Sequence, residues 1–509
     1  MEQTTEENKE ISLLESLKIL FGASRGFWLV NMVNFGDGIA YFGVLTLLTR
    51  FLGTRVGLTD AWTGFSVSCF TGLVTLAMFG GGFVSDKLGV RRALTFSVGL
   101  LLAGRLFLTY SPLPGGNSAF LLSWIGLFLM GIGSGVLQPA LYAGTKEYTD
   151  PRTATIGYSI LYAIMNLGIV AENFVSPFVR TDELFIDLKF TKIYGLGWGI
   201  DGVFKFCTVI TLIMLVVNLL FFTKRVEETQ RVTKEVEKPA DEKPKTWGET
   251  LAELPFLDKR FMFFIFILLP VRTLFAHQFL TIPDYVFRAF PEEVGAKFEW
   301  INGLNPLIIV VFVPLIAAMT RKANVINMMI IGTTISALTT FILVPGPNLW
   351  TLIIYVTLFS FGEAVWSSRF LEYVANLAPA GKVGAYMGLA GIPWFLAKFT
   401  TGLYSGFMLE KFIPEVGISA YWAKSIESAT HLVSGGDSIL NYGLVFIPNL
   451  VSQISSEIFS GSHLSTIFSV QNTSTLWLIY GIFACISPIG LILGKRWVEV
   501  GHKPANDNA

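Results

Sequence analysis

Twelve times along this chain, about twenty apolar residues run together before a charge or a turn interrupts them. The runs lie near 27–50, 62–84, 91–111, 118–143, 155–178, 199–223, 261–282, 299–319, 325–345, 350–373, 384–409 and 475–495. Twenty residues of helix cross the roughly 30 Å hydrocarbon core of a bilayer. Inside that core no water satisfies backbone N–H and C=O groups, so each run is forced into helix. The expectation is an all-α membrane protein with twelve spans. Composition leaves no alternative solvent: 52% of the 509 residues are hydrophobic, only 15% are charged, and mean hydropathy is +0.59. The 37 basic and 37 acidic residues balance, which removes the attraction a nucleic-acid partner requires. Cys69, Cys207 and Cys485 all lie inside apolar runs and read as small buried hydrophobes rather than a disulfide or metal set.

The organisation follows from where the polar residues collect. Between spans, the one long hydrophilic stretch runs from Thr223 to Lys259, mixing acidic and basic residues and broken by Pro239 and Pro244. It divides the chain into a six-helix half at 27–223, a linker at 224–260 and a second six-helix half at 261–495, as a parallel repeat would. Lys and Arg gather after span 2, in this linker, at Arg321-Lys322 and at Lys495-Arg496. The positive-inside rule then sets these sites, the 1–26 segment and the 496–509 tail in the cytoplasm. No cleavable signal peptide is expected, because the acidic N-terminus leads directly into a spanning run. The segment 410–471 is too polar to span yet rich in Ile, Leu, Phe and Trp, and one or two amphipathic helices on the outer face are expected there. Asn472-Thr473-Ser474 matches a glycosylation sequon that matters only in a eukaryotic chain.

Between spans 2 and 3 stands Gly82-Phe83-Val84-Ser85-Asp86-Lys87-Leu88-Gly89-Val90-Arg91-Arg92. Glycine permits a sharp turn, and the arginine pair marks a cytoplasmic face. This pattern, G-x-x-x-D-R/K-x-G-x-R-R, resembles the helix 2–3 connection of the major facilitator superfamily. Asp86, Arg91 and Arg92 are expected to latch helix ends in one conformational state. Further stretches resemble the proton-coupled oligopeptide transporters in collinear order. Asp37-Gly38-Ile39-Ala40-Tyr41-Phe42-Gly43 is similar to E-R-F-x-Y-Y-G, and Leu161-Tyr162 through Asn166-Leu167-Gly168 to F-Y-x-x-I-N-x-G. Asn305-Pro306-Leu307, Gly362-Glu363, Leu377-Ala378-Pro379, Met387-Gly388 and Trp394-Phe395-Leu396 follow in the family's order. The resemblance implies the major facilitator fold, two six-helix bundles around a central cavity. It also implies alternating-access transport of short peptides or related small amphipathic solutes, driven by protons.

The resemblance implies roles residue by residue. Glu363 matches the glutamate that pairs with a peptide's amino group, and Asn305 and Asn166 match positions that hydrogen-bond peptide. Tyr41 and Trp394 join them on the expected cavity wall. Two departures stand out: the family's span 1 arginine is Gly38, with Asn34 and Asp37 where glutamates are usual, and its span 4 lysine is Gln138, before Pro139. An unmodified carboxylate solute would thus meet few fixed cations, which makes Arg272 in span 7 a replacement anion binder. Asp37, Glu363 and His277 are the candidates for proton coupling, since intramembrane ionisable groups mark such relays. Asp37 and Tyr41, four apart, share a helix face. Arg272 and His277, five apart, do not.

Arg105, Glu172 and Lys398 are intramembrane without a motif match and read as interhelical partners or snorkelling ends, and Arg369 with Glu372 as a local ion pair. No G-x-x-x-x-G-K-S/T loop supports ATP-driven pumping, and neither a Ser-His-Asp set nor metal-ligand spacing emerges, so no enzyme, cofactor or metal is expected. The partners expected are a peptide or other small-molecule solute, protons and the lipid bilayer, most simply a bacterial inner membrane. Two other readings stay open: a non-peptide solute with altered or absent proton coupling, and a transport-inactive receptor or scaffold of the same fold.

Overall fold

The computed structural model describes residues 22–149, 154–185, 192–231, 259–320, 323–377, 392–414 and 473–499. The parts of the N-terminal segment, linker, outer insert and C-terminal tail at 1–21, 232–258, 415–472 and 500–509 lie outside the described residues, as do Arg321-Lys322, Ala378-Pro379 and Met387-Gly388. In the first half the spans are α1 (Arg25–Phe51), α2 (Asp60–Leu88), α3 (Val90–Tyr110), α4 (Gly116–Glu147), α5 (Ala154–Arg180) and α6 (Gly199–Phe221), followed by the short α7 (Lys224–Thr229). A two-stranded sheet pairs β1 (Glu183–Phe185) with β2 (Lys192–Tyr194) between α5 and α6, a small exception to an otherwise helical chain.

Span 7 is not one helix. It runs as α8 (Lys259–Ile267), α9 (Leu269–Leu280) and α10 (Ile282–Ala289), so it extends past the expected end at 282. Pro270 and Pro283 each sit in the first turn of a segment, where a missing N–H costs least and the preceding helix must stop. The break is put to use: the Val271 N–H donates to Ser487 Oγ at 2.9 Å. Two short helices, α11 (Glu292–Ala296) and α12 (Phe298–Asn302), lead to α13 (Leu304–Met319). The remaining spans are α14 (Val325–Thr339), α15 (Leu349–Leu377), α16 (Ile392–Phe412) and α17 (Thr473–Glu499). Among the described residues ten helical stretches, α8 and α9 counted together as one, are long and apolar enough to cross a membrane; α13 and α16 occupy the places of the other two expected spans. The outward faces fit lipid, with Val209, Ile213 and Leu220 on α6 and Ile482, Ile489 and Leu493 on α17 all exposed.

The chain forms two compact units. The first comprises 1–45, 70–184 and 192–254, the second 46–69, 185–191 and 255–509. In the first, α3 packs along α4 and α6. Its motif turn ends α2 at Leu88, and Gly89 follows at φ 77°, a backbone conformation that any Cβ would strain. Arg91 then donates from Nε to Glu227 of α7 at 2.9 Å, and Arg231 pairs with Glu147 of α4 at 2.7 Å. Arg91 thus latches to α7, Arg92 is exposed, and the side chain of Asp86 lies outside the described residues.

In the second unit, the segment 46–69 is held by charge. Arg288 of α10 grips both carboxylate oxygens of Asp60 at 2.6 Å and reaches Asp284 at 3.2 Å, and Arg50 donates to the same Asp284 at 3.2 Å. Arg288 also donates to the Ile413 carbonyl, and Glu410 of α16 accepts the Ala61 N–H.

Candidate functional site

In the first unit two intramembrane charges, Asp37 and Arg105, meet each other. Asp37 on α1 is buried, and its Oδ1 accepts from Arg105 Nη2 at 3.2 Å. The other terminal nitrogen of Arg105 donates to Thr211 Oγ1 on α6. One guanidinium, 1% exposed, therefore pins α1, α3 and α6 together and is neutralised where it stands.

Position 38 carries no base for a steric reason. A Cβ added to Gly38 would lie 2.5 Å from the backbone carbonyl oxygen of Met165, and one added to Gly168 would lie 3.1 Å from the Gly38 Cα. Here α1 and α5 touch backbone to backbone, and small residues at such a crossing let van der Waals packing replace the hydrophobic drive that lipid cancels. Asn34 completes the contact by donating to the Leu161 carbonyl at 2.6 Å. Tyr41, a turn beyond Asp37, packs its ring 6.1 Å from that of Phe70. Asn166 is buried, and its Nδ2 donates to the Tyr162 carbonyl on its own helix at 2.9 Å. Gln138 is half-buried on α4 and makes no hydrogen bond among the described residues.

The second unit holds the other candidates. Asn305, near the start of α13, donates to Glu363 Oε2 at 2.9 Å and shares Ser360 Oγ at 3.0 Å. That fixes the carboxylate of Glu363 on α15, which is buried, and leaves its Oε1 without a hydrogen bond among the described residues. Arg272 on α9 lies among the rings of Trp366, Phe370 and Trp394. His277 is separate: Nδ1 meets Thr281 Oγ1 at 2.7 Å, Nε2 meets the Tyr404 hydroxyl at 3.0 Å, and the ring stacks on Tyr480 at 3.8 Å. Both ring nitrogens thus sit in hydroxyl hydrogen bonds that a proton transfer would have to rearrange.

Two further intramembrane bases, read in the sequence as an interhelical or snorkelling residue and as half of a local ion pair, lie in the second unit. Lys398 is half-buried on α16, a turn after Trp394, and forms no ion pair among the described residues. Arg369 donates to the Thr320 carbonyl at 2.6 Å and to its hydroxyl at 2.8 Å, closing the end of α13; the side chain of Glu372 lies outside the described residues. The sequence reading missed Arg50, Asp60, Asp284 and Arg288. The signal was present, since Asp284 and Arg288 stand four apart at the polar end of span 7, but ending that span at 282 put them in a loop.

Comparison with known proteins agrees with this architecture. The sequence profile of the Major Facilitator Superfamily matches residues 27–401. An uncharacterized transporter of Bacillus subtilis, YclF, is 29% identical over 168 residues, which is 31% of this chain and 33% of that relative. The match therefore spans about a third of that relative's length. Dipeptide and tripeptide permease A of Erwinia pyrifoliae is 21% identical over 453 residues, 76% of this chain and 85% of the relative. Among solved structures, a peptide transporter POT in complex with sulfate superposes with a TM-score of 0.64 at 17% identity, covering 95% of this chain and 97% of that one. The chain belongs to the Major Facilitator Superfamily. It is an integral, multi-pass membrane protein with the fold of a transporter.

Proposed function

We propose that this protein is a secondary active transporter that moves short peptides or related small amphipathic solutes by alternating access, coupled to protons. The observation that carries the reading is the Glu363–Asn305 pair, a buried carboxylate held by one oxygen and open at the other, as recognition of an ammonium group requires. The relatives named as dipeptide and tripeptide permeases support it. Tyr41, Asn166, Gln138 and Trp394 contact the solute in this reading. Asp37, Glu363 and His277 are the groups through which protons pass. The halves are 27–223 and 261–495. The motif turn, the linker 224–260 and both termini face the cytoplasm of a bacterial cell, and 410–471 faces outward.

The test is uptake of a labelled dipeptide into proteoliposomes, with an inside-alkaline gradient and at symmetric pH. Gradient-driven uptake is expected. Glu363→Gln should keep the fold and weaken binding of amine-bearing solutes by about 1.5–3 kcal/mol, the worth of a charged hydrogen bond. Unchanged affinity would reassign Glu363 to helix packing. A second reading, a solute moved with altered or no proton coupling, is favoured by one observation: Asp37 and Arg105 already neutralise each other. Uptake indifferent to the pH gradient would select it, and a protein that binds solute but moves none would be a receptor of the same fold.

A further inference from the structure

Arg272 is buried to 1% exposure, yet its Nε and Nη1 find no hydrogen-bond partner, and it forms no ion pair among the described residues. What surrounds it is aromatic: Cζ lies 5.0 Å from the ring centre of Trp366, 4.3 Å from Phe370 and 4.7 Å from Trp394. Ring faces attract a cation but accept few of the five N–H bonds a guanidinium can donate. The side chain is thus held in place while its directional bonds stay unspent. In the first unit, by contrast, the buried Arg105 is already taken by Asp37.

The nearby acid is placed by helix geometry. Glu363, Trp366 and Phe370 recur at i, i+3 and i+7 and so share one face of α15. Arg272 lies over the second and third of these, which sets it roughly 5–10 Å along the helix from Glu363 at about 1.5 Å per residue. Phe275 packs against the same cage, its ring 5.7 Å from Trp366 and 5.6 Å from Trp394. Trp394 is the exposed member of the cage, at 38%.

We propose that Arg272 and Glu363 clamp the two ends of one zwitterionic solute within the second unit, its acid group on Arg272 and its ammonium group on Glu363 and Asn305. The spacing selects a solute whose charges are several bonds apart, a dipeptide or an ω-amino acid, and discriminates against an α-amino acid, whose charges are too close together to reach both. This rests on the transporter reading above.

The experiment is calorimetric binding of dialanine, dialanine amide, N-acetyl-dialanine, 5-aminopentanoate and alanine to the full chain in nanodiscs. The wild type should prefer dialanine over its amide by on the order of 10- to 100-fold, the range of one charged hydrogen-bonded contact. It should also bind 5-aminopentanoate more tightly than alanine. Arg272→Gln should bind dialanine and its amide equally. Arg272→Lys, which keeps the charge and loses the fork, should restore part of the preference and guards against a folding defect. An acid-over-amide preference that survives in Arg272→Gln overturns the clamp. So does a wild type that binds none of these compounds. The transporter reading is judged apart, by gradient-driven uptake, and the Glu363 half by whether Glu363→Gln abolishes the preference for dialanine over N-acetyl-dialanine.

Discussion

Truncating Asp37 to alanine strands the Arg105 guanidinium in the membrane interior with Thr211 as its remaining side-chain partner. Breaking one side of a buried pair typically costs 3–5 kcal/mol, while replacing both partners with apolar residues is often neutral. Asp37→Ala should therefore unfold at a clearly lower temperature than wild type in detergent, and Asp37→Leu with Arg105→Met should recover most of the loss. Equal destabilisation in the single and double variants would show that the pair is not energetically coupled. Both residues were visible in the sequence as intramembrane charges, but their partnership was not. They stand 68 positions apart, and only the packing of α1 against α3 brings them together. The Asn305–Glu363 contact differs because both positions matched a motif, so the resemblance could nominate them jointly. The cage around Arg272 lay between these cases: the cation was evident, but three rings from two other helices were not.

At the scale of helices, length and apolarity alone indicated the helical spans, ten of which are long and apolar enough to cross a membrane among the described residues, since lipid leaves the backbone no other choice. Their interruptions were less legible. Pro270 lies inside a run that hydropathy joins and Pro283 just past its expected end at 282, and nothing in composition said that Val271 would spend its freed N–H on Ser487. The α1–α5 contact was hidden for a similar reason, because a glycine reads as an absence until its neighbour is known. At position 38 that neighbour is backbone. Gly38→Ala should lower stability by about 1–3 kcal/mol, the usual cost of overpacking. Gly38→Arg should fail to yield folded protein. Gln138→Lys, on a half-buried face, should be tolerated. Thermal unfolding of the three variants decides this, and a Gly38→Arg protein as stable as wild type would refute the close contact.

For the whole molecule, alternating access requires that a charged network closed in one state can open in another. Arg50, Asp60, Asp284 and Arg288 form such a network in the second unit, tying the segment 46–69 to α10. The Arg288 side chain is 4% exposed and that of Asp60 16%, so salt screens the pair weakly. Because Arg288 binds two carboxylates and the Ile413 carbonyl, reversing its charge sets like charges against each other at the same spot. Arg288→Glu should therefore release 46–69 and favour states in which this segment is exposed. Ser66 on α2 reports on that release, being fully buried with its hydroxyl bonded to the Trp62 carbonyl at 2.7 Å. A cysteine placed there by Ser66→Cys, with Cys69, Cys207 and Cys485 replaced by serine, should react slowly with a membrane-impermeant maleimide. Adding Arg288→Glu should raise that rate on the order of tenfold, as about 1.4 kcal/mol of lost closure implies. Asp60→Arg in the same protein should bring the rate back down by restoring opposite charges across the contact. If the rate ignores Arg288→Glu, the network is a structural staple and plays no part in transport.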